Sequence, residues 1–194
     1  IEEDLARRDF TINAIAASVI PPNARLAPAS TQVAKRGGIQ LTDPFNGQKD
    51  IQDKIIRCVG DPSKRFQEDA LRLIRAIRFA TELEFEIEQE TFTSIQKNAP
   101  LIKEIANERV RDELFKILAS NNAYEGIVKL REAKLLPNIL PELEKCFGIV
   151  QKGPKHARVY DIGEHSLFTL KHTPSNNPLV RLAALLHDVG KPET

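Results

Sequence analysis

Between Phe66 and Ala80 the apolar residues recur with a helical period. At roughly 100° per residue, Phe66, Ala70, Leu73, Ile74, Ile77 and Ala80 fall on one stripe. Such a stripe must be buried, so the pattern predicts one helix over 66–80 with a helical core assembled against it. Glu68, Arg72 and Arg75 lie on the opposite side, within an arc of roughly 60°, with Asp69 at its edge. The plainest reading of that side is a solvated face stitched by Glu68–Arg72 at i,i+4, worth about 0.2–0.5 kcal/mol.

A carboxylate beside a guanidinium has a second use. Adenine and cytosine each present an exocyclic amino donor next to a ring-nitrogen acceptor. A carboxylate accepts from the first while an arginine donates to the second. Guanine and uracil carry the reverse order and would leave both partners unpaired. Asp69 with Arg72, at i,i+3, is therefore a candidate amino-acid template for A and C.

The 194 residues suit one large or two small domains, and 41% apolar with 28% charged residues is an ordinary globular balance. A net charge of +1 excludes an overall basic field, so any nucleic-acid contact must use local patches. Cys58 and Cys146 form no metal-ligand pattern, which fits a reducing cytoplasm. No run approaches a membrane span and no signal peptide is visible, so no membrane partner is expected. The chain has no methionine and begins at Ile1, from which we expect an interior piece of a longer protein.

In chain order, the acidic start Glu2-Glu-Asp4 and the i, i+4, i+7 spacing of Phe10, Ala14 and Ala17 predict a helix over 5–17. On it Asp9 and Asn13 share a face, with Arg8 nearby. The trio can grip ribose hydroxyls and a phosphate, or make a local surface hydrogen bond. Residues 16–20 and Ile39-Gln-Leu41 are strand candidates, flanking a Pro-rich run to Gly38 that reads as a loop or insertion. Asp43-Pro-Phe-Asn-Gly47 is a turn, 48–54 a short helix and 55–59 β-compatible. The glutamates at 82, 84, 86, 88 and 90 alternate with Leu83, Phe85 and Ile87. Period two argues for apolar side chains inward and glutamates in water, not for a metal site.

From Phe92 the pattern is helical: 92–98, 100–105, a helix capped by Asn107 with Val110, Leu114, Ile117 and Leu118 on one side, 122–133, and 141–147. A basic connector with Lys152, Lys155, His156 and Arg158 marks a boundary. Asp161 caps a helix over 162–172 carrying His165. Asn176-Asn-Pro178 caps another over 179–187, apolar almost all round and so expected to be buried. His187-Asp188 ends it. Imidazole with carboxylate favours a divalent cation such as Mn, Fe, Ni or Mg.

Taken together these segments resemble class II tRNA nucleotidyltransferases (CCA-adding enzymes) and the similar bacterial poly(A) polymerases, in the form with a C-terminal HD domain. Arg7-Arg-Asp-Phe-Thr-Ile-Asn-Ala14 is similar to their ribose-binding motif, and Asp43-Pro-Phe-Asn-Gly47 with Asp50 to their hinge-like motif. Glu68-Asp69 with Arg72 and Arg75 is similar to the nucleotide-template motif, Glu108-Arg-Val-Arg-Asp-Glu-Leu114 to a supporting helix, and His187-Asp-Val-Gly-Lys-Pro192 to the HD signature.

The resemblance implies a mainly α chain. Residues 1–58 would be the C-terminal part of an α/β nucleotidyltransferase head, 59–147 a helical neck and body binding nucleotide and RNA, and 148–194 a linker and the start of an HD domain. It implies that Asp69 and Arg72 read the base of ATP or CTP, with Glu68 in the same motif. Arg8, Asp9 and Asn13 would serve the ribose and Arg75 the phosphates, while Glu108, Arg109 and Arg111 support the site. His165, His187 and Asp188 would hold a divalent metal. The RNA partner would be a tRNA or other RNA 3′ end. Two Mg ions would sit on an Asp-x-Asp pair, which this chain lacks, so it is expected to be inactive alone. The run 18–40 is longer and richer in proline than the family pattern. Two competing readings are an HD-type metal phosphohydrolase and a non-catalytic RNA-binding module. Asp69 beside Arg72 has no use in the latter.

Overall fold

A computed structural model describes residues 1–19, 38–150 and 161–193. Helix α1 spans only Glu2–Leu5, followed by turns and a 3-10 segment at Thr11–Asn13, so the helix expected over 5–17 does not form. The cause is competition for backbone and side-chain hydrogen bonds. Asp9 Oδ1 accepts from the Phe10 N–H at 3.1 Å and from Asn13 Nδ2 at 3.3 Å. The backbone on either side of Phe10 bonds across the fold instead of up a helix: Thr11 N–H to the Arg57 carbonyl at 2.9 Å and Val59 N–H to the Asp9 carbonyl at 3.1 Å.

Strands β1 (Ala16–Val19) and β2 (Ile39–Thr42) pair antiparallel, with Ala16 opposite Thr42 and Val19 opposite Ile39. Most of the Pro-rich run between them lies outside the described residues, as does the basic connector over 151–160. Helix α2 (Gly47–Gln52) starts where the Asp43 carboxylate accepts from the Gly47 and Gln48 amides at 2.7 and 2.9 Å. Strand β3 is Ile55–Ile56.

The helix expected across 66–80 is two helices, α3 (Pro62–Glu68) and α4 (Leu71–Leu83). Asp69 breaks it. Its backbone is extended (φ −152°, ψ 102°), and its Oδ1 accepts from the Leu71 amide at 3.1 Å, so it caps the second helix. The apolar stripe survives the break: Phe66, Leu73, Ile74 and Ile77 are fully buried, and Ala70 and Ala80 nearly so. Strand β4 (Glu86–Ile87) pairs parallel with β3 and is all that forms of the 82–90 alternation. Glu82, Glu84, Glu86 and Glu90 are exposed, whereas Glu88 is half-buried, and Leu83 faces solvent at the end of α4.

Next come α5 (Gln89–Asn98), a 3-10 segment (Ala99–Glu104), α6 (Asn107–Ala119), α7 (Ala123–Glu132), α8 (Leu136–Ile139) and α9 (Pro141–Glu144). Asn107 is the first residue of α6 and makes no capping bond from its side chain, contrary to expectation. Val110, Leu114, Ile117 and Leu118 are buried as the period requires. Helix α10 (Ile162–His172) is capped by Asp161, which accepts from the Glu164 amide at 2.5 Å. Helix α11 (Pro178–Leu186) is capped by Asn177, which accepts from the Leu179 amide at 2.9 Å. It packs on α6 and α10 along one side, so it is not buried all round: Leu179 is 62% exposed and Val180 47%. Leu167, Leu170 and Leu185 belong to the same apolar core as Ile117 and Leu118. No helix among the described residues is long and apolar enough to cross a membrane.

The start of α2 lies hard against the Thr11–Asn13 turn. A Cβ on Gly47 would come to 2.8 Å from the Thr11 carbonyl carbon and 2.9 Å from Ile15 Cγ1, closer still to the carbonyl oxygen. Gly47→Ala should therefore destabilise the fold by about 1–3 kcal/mol in urea denaturation, because backbone has to move to admit it. Gly190→Ala, whose Cβ meets nothing within 4 Å, is the control expected to be near neutral.

Candidate functional site

Three clusters of charged groups meet where the N-terminal turns face α3 and α4. The first is built on Asp9, which is 8% exposed. Its Oδ2 takes Arg75 Nε at 2.8 Å and Nη2 at 2.7 Å, while its Oδ1 serves Asn13 and the Phe10 amide. The fork ties the N-terminal turn to the middle of α4. Phe10 and Phe79 pack edge-to-face beside it, with centroids 5.7 Å apart.

The second cluster surrounds the break at Asp69. Arg72 Nη1 donates to Glu68 Oε2 at 2.8 Å and to the Arg65 carbonyl at 3.0 Å, and its Nη2 donates to the Arg7 carbonyl at 3.2 Å. The plain Glu68–Arg72 pair is thus present. Hydrogen bonds from Arg72 and then Arg65 hold the Glu68 carboxyl below the usual carboxylate range. Asp69 and Arg72 are not paired with each other through their side chains. Asp69 Oδ2 instead takes Arg109 Nη2 at 3.3 Å, beside an open cleft of about 490 Å³ lined by Asp69, Leu101, Glu104 and Arg109.

The third cluster holds α2 in place. Asp50, buried, accepts from Thr11 Oγ1 at 2.6 Å and from Arg57 Nε at 3.1 Å, and Arg57 also pairs with Glu88. Cys58 sits between these clusters, 4% exposed, and burial pushes its thiol from the ordinary 9.0 up to about 12.

Not every expected residue joins them. Arg8 pairs with Asp4 at 2.8 Å on the surface, Arg111 pairs with its neighbour Asp112, and Glu108 is exposed in the first turn of α6. Arg65 was not anticipated, yet it links the parts. It donates to Glu68, to the Val59 carbonyl at 3.1 Å and to the Ala6 carbonyl. Its i,i+3 spacing to Glu68 was the available signal. The contacts to Ala6 and Val59 carried none.

A separate cluster joins α10 to the end of α11. His187 Nε2 lies 3.3 Å and His165 Nε2 3.8 Å from Asp188 Oδ2, and the two rings stand 5.2 Å apart. Ligand atoms of all three residues lie within 4.8 Å of one another, the one such group of metal donors among the described residues. His187 Nδ1 is 2.7 Å from the Ala184 carbonyl, which can only accept, so that nitrogen carries the hydrogen. In the neutral ring Nε2 then aims a lone pair at a carboxylate oxygen. The Lys191 ammonium already meets that oxygen at 2.6 Å, and a metal ion would give the imidazole lone pair a cation of its own.

Known proteins resemble this chain in sequence and in fold. A sequence profile for the poly A polymerase head domain matches residues 1–57, and one described as the probable RNA and SrmB-binding site of polymerase A matches residues 84–147. An A-adding tRNA nucleotidyltransferase of Deinococcus radiodurans is 39% identical over 200 aligned residues, covering 100% of this chain and 42% of the relative. A multifunctional CCA protein of Legionella pneumophila (strain Lens) is also 39% identical, covering 100% of this chain and 44% of its own length. The crystal structure of the Bacillus stearothermophilus CCA-adding enzyme in complex with CTP is similar, with TM-score 0.62 and 31% identity over 100% of this chain and 49% of that one. The chain thus spans less than half the length of these relatives.

The buried thiol at the centre of the site makes a measurable prediction. A group whose proton is held more tightly in the folded state leaves stability unchanged below its unfolded pKa and lowers it as pH rises towards the folded one. Between pH 9.0 and about 12 the protein should lose roughly 1.4 kcal/mol per pH unit relative to a Cys58→Ala variant. Denaturation of both proteins across that range would reveal parallel curves if the thiol were accessible.

Proposed function

Because the chain belongs to the tRNA nucleotidyltransferase and poly(A) polymerase family, we propose that it forms the nucleotide-selecting and RNA-holding part of an enzyme adding C, A or both to tRNA 3′ ends from CTP and ATP, without a nucleic-acid template. Residues 1–58 are the end of its head, 59–147 its neck and body, and 148–194 a linker and the start of an HD domain. The setting is the cytoplasm. The observation that carries this reading is the cluster at the α3–α4 break, where a half-exposed carboxylate and a fixed guanidinium occupy neighbouring turns.

In this reading Asp69 accepts from the exocyclic amino group of A or C. Its Oδ1 and Oδ2 each hold one partner, which leaves acceptor capacity on both oxygens. Arg72 is anchored by three acceptors and, among the described residues, keeps N–H groups on Nε and Nη2 for the ring nitrogen. The anchoring means that little side-chain entropy is lost when a base arrives. Asp9 aims Arg75 towards the phosphates and holds Asn13 where it would serve the ribose, which Arg8 would reach only by leaving Asp4. Arg109 orients Asp69, with Glu108 and Arg111 on the same supporting turn. Two Mg ions, which the family implies, would supply the charge for phosphoryl transfer when bound. The chain has no Asp-x-Asp to hold them, so no step of that transfer is assigned to its residues.

His165, His187 and Asp188 fit a divalent ion by their spacing and by the lone pair on His187 Nε2. That centre favours a second, alternative reading, in which the protein is an HD-type metal-dependent phosphohydrolase. Asp188→Asn should abolish binding of one Mn²⁺ equivalent per chain in a calorimetric titration. Unchanged stoichiometry would remove this centre from the proposal.

The test of base selection uses the full-length protein and kcat/KM for all four nucleotides. Arg72→Ala removes a charge-assisted donor worth about 1.5–3 kcal/mol, so use of ATP and CTP should fall roughly ten- to a hundredfold. Discrimination against GTP and UTP should weaken with it. Arg75→Ala should lower all four together, since a phosphate contact carries no base information. Equal losses for every nucleotide in Arg72→Ala would reduce the Glu68–Arg72 pair to a structural salt bridge.

A further inference from the structure

We propose that Lys191 is a resident counter-cation of the His165–His187–Asp188 centre, which a divalent ion must displace from the Asp188 carboxylate in order to bind. The inference rests on the metal reading of that centre. Lys191 Nζ lies 2.6 Å from Asp188 Oδ2, the same oxygen that is 3.3 Å from His187 Nε2 and 3.8 Å from His165 Nε2. One oxygen thus faces three nitrogens, and only the ammonium always brings protons to it. Asp188 is 9% exposed, and a carboxylate so placed needs a counter-charge. Lys191 supplies it by folding back one turn, with its amide bonded to the Asp188 carbonyl at 3.0 Å.

A metal ion would sit about 2.0–2.3 Å from its nitrogen and oxygen donors. An ammonium in contact with the same oxygen would then lie within a few ångströms of a doubly charged ion, and their repulsion forces one to leave. Lys191 is the mobile partner. Its side chain is 40% exposed and sits on a flexible four-carbon stem, whereas Asp188 is buried, so the ammonium is the group that gives way. His187 gains from the exchange, because its Nε2 lone pair then faces a cation directly. The carboxylate keeps a positive partner throughout. The exchange therefore lowers apparent metal affinity while stabilising the metal-free centre.

The experiment is a calorimetric Mn²⁺ titration of the intact, metal-free protein as wild type, Lys191→Met and Asp188→Asn. The binding event lost in Asp188→Asn identifies this centre among any others. Methionine keeps the aliphatic stem and drops the charge, so Lys191→Met should bind Mn²⁺ at this centre roughly ten- to a hundredfold more tightly. Its metal-free melting temperature should fall at the same time. Circular dichroism checks that each variant is folded. If Lys191→Met binds no more tightly than wild type, Lys191 does not compete and the proposal is overturned, while the metal centre stands. If neither folded protein shows an event that Asp188→Asn removes, the metal reading fails and takes this proposal with it.

Discussion

A buried carboxylate governs how the two ends of the candidate site meet. Asp9 sits almost out of water with an arginine fork on one oxygen and two short-range donors on the other. Taking away Arg75 would leave Asp9 desolvated and uncompensated, which costs far more than the pair contributes net. The N-terminal turn forms around that carboxylate, and its backbone bonds to residues 57 and 59 instead of up the helix its apolar spacing favours. The bridge between Phe10 and Cys58, the close seat of Gly47 and the Asp50–Thr11 bond follow from holding that turn open.

Much of the helical part was legible because its cause is local. The apolar stripe from Phe66 to Ala80 is buried throughout, and Asp161 and Asn177 cap α10 and α11 as their spacing indicated. The break at Asp69 was not legible. Periodicity records which residues face the core, and the stripe keeps its phase across the break, so nothing in it betrays an extended residue. An aspartate two residues before Leu71 was the one local clue. The 5–17 segment misled for the opposite reason: its apolar spacing suits a helix, but its backbone bonds go to residues 57 and 59.

The candidate site divides along the same line. Glu68–Arg72 and the His187-Asp188 dipeptide are neighbours in sequence, and their contacts were readable. Asp9–Arg75, Asp69–Arg109 and the reach of Arg65 to Ala6 span tens of residues and depend on packing that spacing does not encode. Helix α11 shows the same limit in apolar residues. A nearly all-apolar segment reads as buried on every side, yet it lies against α6 and α10 with Leu179 and Val180 outward.

The bond from Arg72 to the carbonyl of Arg7 crosses between the N-terminal segment and α4. It is a length-sensitive link at 3.2 Å, near the far end of useful hydrogen-bond geometry. The side chain that presents donors at the α3–α4 break is thus tied at once to α3 and to the N-terminal segment, so its position depends on both.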